Sequence, residues 1–233
     1  MITIPLFLTP KHPCSYLEGE QAQSVFVHPS FKLSPAIYSQ LIAKGFRRSG
    51  DEVYAPQCAG CSACIPSRLA VADFKPNRSQ KRCLKRNIDT QAVVKPAVFE
   101  PVHYELYLHY QTIRHGDGDM AKASPDDYIN FLGSSWCDTR FVEFFIGNEL
   151  AGVAVIDQLD NALSAVYTFF DPKFSSYSLG VYAVLWQIEQ AKREQREFLY
   201  LGFWIKECKK MAYKSDYQPL QVLVDNHWLE YPV

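Results

Sequence analysis

No apolar run in the 233-residue sequence approaches the ~18 residues needed to cross a bilayer, so no membrane passage is expected. The opening Met1 to Pro10 is apolar but has no basic segment before it, which argues against an export signal. Low-complexity tracts and fixed-period repeats are absent, excluding fibrous, collagen-like and solenoid forms. Cysteine occurs seven times, an odd number that suits thiols or a metal in a reducing cytoplasm better than a disulfide framework. No second C-x-x-C pair completes a zinc ribbon, and no full glycine-rich phosphate fingerprint occurs. Against these absences stands an apolar share of 48%, enough to fill the core of one large or two small domains.

Net charge is only −1, yet the segment Lys44 to Lys95 carries +7 and the remainder −8. Between Asp73 and Asp89 lie Lys75, Arg78, Lys81, Arg82, Lys85 and Arg86, with no acidic residue among them. If Ser79 caps a helix there, Arg82, Lys85 and Arg86 share a face and Arg78 enters one turn earlier. Such a stripe suits a phosphate backbone, whose counterions it would release; a solvated helix face is the plain alternative. Just upstream, Cys58, Cys61 and Cys64 form C-x-x-C-x-x-C, a spacing that lets thiolates converge on one ion or a cluster, with Cys14 the best fourth ligand. Cysteines used as small buried apolar residues give the same pattern without a metal.

Ser34-Pro35 opens a helix that Gly45 ends, a second helix runs from Pro101 to His115, and a third starts at Ser124-Pro125-Asp126-Asp127. Arg140 to Ile146, Leu150 to Asp157 and Leu163 to Phe169 read as an antiparallel meander joined by Gly147-Asn148 and Asp160-Asn161. Val181, Val184, Leu185, Ile188 and Ala191 mark an amphipathic helix that opens at Ser178-Leu179-Gly180. Phe198 to Ile205 and Leu220 to Val224 are the closing strands. The expectation is an α+β fold in two domains. Residues 1–97 are basic and cysteine-containing, and residues 98–233 have the element order of GNAT-type acyltransferases.

Eight strings, in order and over almost the whole chain, carry a resemblance: GFRRSG, YAPQCAGCSACIPSR, RSQKR, YQTIRHGDGDM, LSAVYTFFDP, SLGVYAVLWQIEQA, YLGFWI and KMAYKSDYQP. Together they resemble the bacterial branch of the arginyl-tRNA-protein transferase family. The resemblance implies an aminoacyltransferase that moves leucine from leucyl-tRNA to the α-amine of proteins beginning with Asp or Glu, marking them for N-degron degradation. It also implies a GNAT-like C-terminal domain, a cytoplasmic location and no acyl-CoA. Arginyl-tRNA as donor and an acetyl-CoA-dependent GNAT enzyme are the alternatives. Eukaryotic relatives bind an iron–sulfur cluster or metal through N-terminal cysteines, but here Leu17 and Ala63 stand where those relatives carry cysteine. No metal and no cofactor is therefore expected.

An aminoacyl ester is already activated, so positioning carries most of the chemistry. Lys75, Lys81, Lys85 and Arg86 are the candidates for tRNA phosphates, together with the free amides at Ser178, Leu179 and Gly180. Tyr200, Phe203 and Trp204 suit stacking on a terminal base or walling the leucyl pocket. Arginine makes a two-pronged match to carboxylate, which makes Arg47, Arg78 and Arg82 the candidates to read the acidic first residue. Lys214 suits a phosphate or a carboxylate. His115, titrating near neutrality, is the candidate to take the amine proton, and Tyr167 to offer a hydroxyl to the reaction centre. By regular strand alternation Ser164 should face away from Tyr167.

Overall fold

A four-stranded and an eight-stranded sheet carry the chain in the computed structural model, which describes residues 3–116 and 119–232. In order, the strands and helices of the first half are β1 (Leu6–Leu8), β2 (His12–Pro13), β3 (Gln21–Ala22), β4 (Ser24–Val27), α1 (Pro35–Ala43), β5 (Arg47–Ser49), β6 (Glu52–Pro56), β7 (Ile65–Ala70), α2 (Arg78–Arg86) and β8 (Gln91–Pro96). The second half continues with α3 (Pro101–His115), α4 (Pro125–Leu132), β9 (Asp138–Ile146), β10 (Glu149–Gln158), β11 (Ala162–Phe170), α5 (Leu179–Arg193), β12 (Phe198–Trp204), α6 (Lys209–Ala212), β13 (Leu220–Val224) and β14 (His227–Glu230).

Local chemistry explains where these helices start. Ser34 caps α1 by accepting from Ile37 N, with Pro35 in the first turn. Ser124 and Asp127 form a capping box on α4. On α2 the expected cap is displaced: Asn77, not Ser79, takes the position, because Gln80 lies three residues on and answers the Asn77 amide to complete a capping box.

The large sheet runs β14-β13-β7-β12-β11-β10-β9-β8 and is mixed, since β11 and β12 are parallel while its other pairs are antiparallel. Strands β9, β10 and β11 form the expected meander, with Gly147 turning at φ +60. Helix α5 bridges the parallel pair and packs Leu179, Ala183, Leu185 and Ile188 on Val142, Phe144, Ala154, Ile156 and Leu163. On the opposite face α3 and α4 bring Tyr107, Tyr128 and Leu132 onto Phe141, Val153, Val155 and Phe169. Strand β7 lies between β12 and β13, and β8 pairs with β9. The boundary expected at residue 97 therefore does not separate two sheets; strands from both sides of it share one. The result is a mixed α/β fold.

Two polar clasps fix this arrangement. Arg48 donates both Nε and Nη2 to Asp157 at 2.7 Å and reaches the carbonyls of Gly50, Leu132 and Gly133, joining β5 to β10 and the end of α4. Glu100, His103 and Glu143 gather within 4.8 Å of one another, and the Lys95 ammonium stands 2.9 Å from Glu143 and 3.3 Å from Glu100. A cation thus already serves that acidic cluster and ties β8, β9 and α3 together.

Candidate active site

The parallel pair holds register only from Ala162–Phe198 to Ser164–Tyr200, although both strands continue. Each is bulged just past that point: Val166 is the extra residue of β11, and β12 slips against β7 between Tyr200 and Gly202. Bulges bend a strand away from its neighbour, so β11 and β12 part here. The β11 bulge also corrects the sequence expectation for Ser164. Tyr167 pairs with Val155 and Ser164 with Asp157, two residues apart on regular β10, so Ser164 and Tyr167 share a face.

Tyr167 accepts a hydrogen bond from Gln111 Nε2 at 2.8 Å and packs on Tyr107 and Phe131. Burial pushes its pKa up to about 12, with the Gln111 bond acting in the opposite direction, so it is a neutral hydroxyl at physiological pH. On the other strand, the Arg47 guanidinium lies 5.6 Å from the centre of the Phe203 ring. Lys214 is 3% exposed, and its Nζ donates to the Phe203 carbonyl and lies 3.3 Å from Met211 Sδ. Burial, and next the positive charge of Arg47, pull the Lys214 pKa down to about 7. Among the described residues neither cation has a carboxylate in ion-pair range. A guanidinium beside a lysine that titrates near neutrality, neither with a counter-charge, suits an anion.

The other sequence candidates fall around this centre. Helix α2 abuts it: Asn77 and Gln80 both donate to Asp216 O, two residues beyond Lys214. Cys83 of α2 and Asn87, which caps its C-terminus, donate to the carbonyls of Tyr177 and Ser178, just before α5, and Arg86 donates to Ser176 O. Lys75, Arg78, Lys81, Arg82 and Lys85 are exposed, so the basic stripe flanks the parted strands with its charges outward. Ser178 precedes α5 at φ +54, and its amide, expected to be free, already donates to Ser175 O at 3.1 Å; the Leu179 side chain is wholly buried, which leaves that residue only a backbone amide to offer. Trp204 is placed differently from the expectation. It is 5% exposed, its indole N–H donates to Ala212 O and its ring packs on Tyr231, so it belongs to the packing instead of offering a stacking face. Tyr200 and Phe203 are also buried. His115 closes α3, and its side chain lies outside the described residues.

The family model described as arginine-tRNA-protein transferase, C terminus, matches residues 102–224, and its N-terminus counterpart matches residues 12–82. The chain belongs to this family. Aspartate/glutamate leucyltransferases of Alcanivorax borkumensis and Marinobacter nauticus are similar to it at 51% and 48% identity over 98% of this chain, covering 94% and 96% of their own lengths. The enzyme of Thiobacillus denitrificans is 51% identical over 97% of this chain and 94% of its own. Among solved structures, L-PGS from Bacillus licheniformis overlays at TM-score 0.45 with 10% identity, covering 61% of this chain and 47% of that one.

As a member of the arginine-tRNA-protein transferase family, the chain is a transferase, and the cysteines that bind a cluster in eukaryotic relatives can be compared with its own. Cys14, Cys58, Cys61 and Cys64 line one cavity of about 220 Å³, together with Tyr16, Tyr54 and Phe203. Among the described residues no three of their sulfurs come within 4.8 Å of one another. Cys14 Sγ accepts from the amides of Tyr16 and Leu17, and Cys58 Sγ is engaged with Gln23. Burial, and next the neighbouring thiols, push the Cys64 pKa up to about 12. The side chains as they stand do not fit a single ion, and no chemistry is assigned to one. Gln111 and Gly202, which support Tyr167 and Arg47, were missed by sequence reasoning: a helical glutamine and a strand glycine carry no signal until the partner strand is known.

Proposed function

We propose that this protein transfers leucine from leucyl-tRNA to the α-amine of proteins that begin with Asp or Glu, making them N-degron substrates. The near full-length similarity to aspartate/glutamate leucyltransferases supports the class of reaction. The observation that carries the site is the pair Arg47 and Lys214, neighbouring basic groups without carboxylate partners among the described residues, beside the parted strands of the large mixed sheet. Burial is the main cause that depresses Lys214 and the charge of Arg47 the next, so an N-terminal acidic side chain that lands on Arg47 offsets that second cause and favours the protonated lysine. The same docking brings the α-amine, a few bonds from the carboxylate, to the reaction centre. With a pKa of about 7.7 to 8.0, that amine is neutral in appreciable part and attacks the activated ester without a strong base. Tyr167, accepting from Gln111, keeps its own proton free to donate to the oxygen that becomes negative. The basic stripe of α2 and the amides of Leu179 and Gly180 at the start of α5 hold acceptor-stem phosphates, with residues 1–97 and 98–233 acting as functional halves of one cytoplasmic enzyme.

Incubating the protein with labelled leucyl-tRNA or arginyl-tRNA, and with peptides beginning Asp, Glu or Ala, tests the reading. Leucine should appear on the Asp and Glu peptides only. Transfer of arginine instead would reassign the donor, and equal transfer to the Ala peptide would remove the receptor role from Arg47 and Lys214.

A further inference from the structure

Gly202 sits at the β12 bulge with φ +77, and the Arg47 guanidinium lies against its backbone. A Cβ at this position would come within 2.3 Å of Arg47 Nη1, 2.4 Å of Cζ and 2.8 Å of Nε. All three contacts are with the far end of a flexible side chain. A methyl group at 202 therefore displaces the guanidinium, and it also strains a backbone held at positive φ. Ser67 Oγ, from the neighbouring strand β7, donates to Gly202 O at 2.9 Å and holds the bulged backbone where Arg47 rests. The Phe203 ring forms the adjoining wall. From the other end, Arg48 is locked to Asp157, Thr139 and three carbonyls, so β5 cannot shift and Arg47, the next residue in an alternating strand, leaves on the opposite side.

We propose that Gly202 is a specificity-determining position, whose missing side chain is the seat that aims the Arg47 guanidinium at the acidic first residue of the protein substrate. This rests on the reading of Arg47 as the group that meets the carboxylate. Gly202 acts through Arg47 and is a positioning residue.

The test separates the two claims. Arg47→Ala should raise KM for an Asp-initiated peptide at least tenfold, with KM for leucyl-tRNA unchanged, and added ethylguanidinium should restore much of the loss by occupying the emptied seat. Gly202→Ala should raise the same KM with a smaller effect on kcat. In the double variant Arg47→Ala/Gly202→Ala the seat is filled by the methyl group, and ethylguanidinium should no longer rescue. Gly202→Asn carries the same Cβ but tolerates positive φ better, so it reports on the overlap if the alanine variant folds poorly. Rescue of the double variant equal to that of Arg47→Ala overturns the role of Gly202 while leaving Arg47 intact. An Arg47→Ala enzyme that keeps its preference for acidic peptides overturns both.

Discussion

Lys214 lies buried with a carbonyl and a thioether as its hydrogen-bond neighbours, where an exposed lysine would have water. The consequence is a stability that depends on pH. Its pKa falls from the ordinary lysine value of 10.5 to about 7 on folding. Below that value both folded and unfolded chains carry the charge, and the folded one bears the whole burial penalty. Between about 7 and 10.5 the unfolded chain holds the proton that the folded chain has released, so stability rises with pH across this window. Lys214→Met should therefore stabilise the protein at pH 6, by ~2 kcal/mol or more, and the gain should shrink at pH 9. Paired denaturant titrations at the two pH values check this; a gain independent of pH would show that the lysine is not desolvated. The two neighbouring arginines differ in pairing. Arg48 is equally buried but fully paired with Asp157, while Arg47 is half-buried and unpaired, and only the unpaired one is suited to a ligand.

Helix α2 joins the basic stripe to the rest of the site, and its first turn depends on one residue. Asn77 accepts from the Gln80 amide at 3.0 Å and also reaches Asp216 O, whereas Ser79 bonds only to Asn77 itself. Asn77→Ala should lower stability by ~1 kcal/mol. Ser79→Ala should stay within ~0.5 kcal/mol of the parent, and denaturation midpoints at constant m decide between the two. Serine before a basic run reads as a cap from the sequence, but the deciding signal was the Asn-x-x-Gln spacing one step earlier. Elsewhere local signals were enough. Ser34-Pro35 and Ser124-Pro125 start helices because their chemistry is complete within four residues, and Gly147-Asn148 turns the meander for the same reason. The bulge at Val166 was hidden because it depends on which residue of β10 stands opposite, and it alone put Ser164 on the face of Tyr167. Of the candidate site, Arg47, Tyr167 and Lys214 were legible as residue types suited to the chemistry. Burial of Trp204 and the seat at Gly202 follow from long-range pairing that no local pattern encodes.

At the scale of the whole molecule, sequence composition and sheet topology divide the chain differently. The family matches of residues 12–82 and 102–224 follow the composition, a basic half and an acidic half. The large sheet crosses that line, because β7 is hydrogen-bonded to β12 on one side and to β13 on the other. Removing residues 1–97 would split the sheet into β9 to β12 and an isolated β13–β14 hairpin. It would also expose Leu69's partners Leu199 and Leu220, strip α2 from α5 and leave Asp157 buried without Arg48. Each loss removes part of the core or strands a charge, and a two-stranded hairpin is marginal alone in water. Residues 98–233 expressed by themselves should therefore fail to unfold cooperatively, while the full chain should give one transition that coincides by fluorescence and circular dichroism. Adding residues 1–97 in trans should restore that transition, since the two pieces need only re-form the sheet they share. Two separate transitions in the full chain would instead mean that β7 is a passenger in the sheet. In that case Arg47, carried on the same half, could not depend on Gly202 for its place.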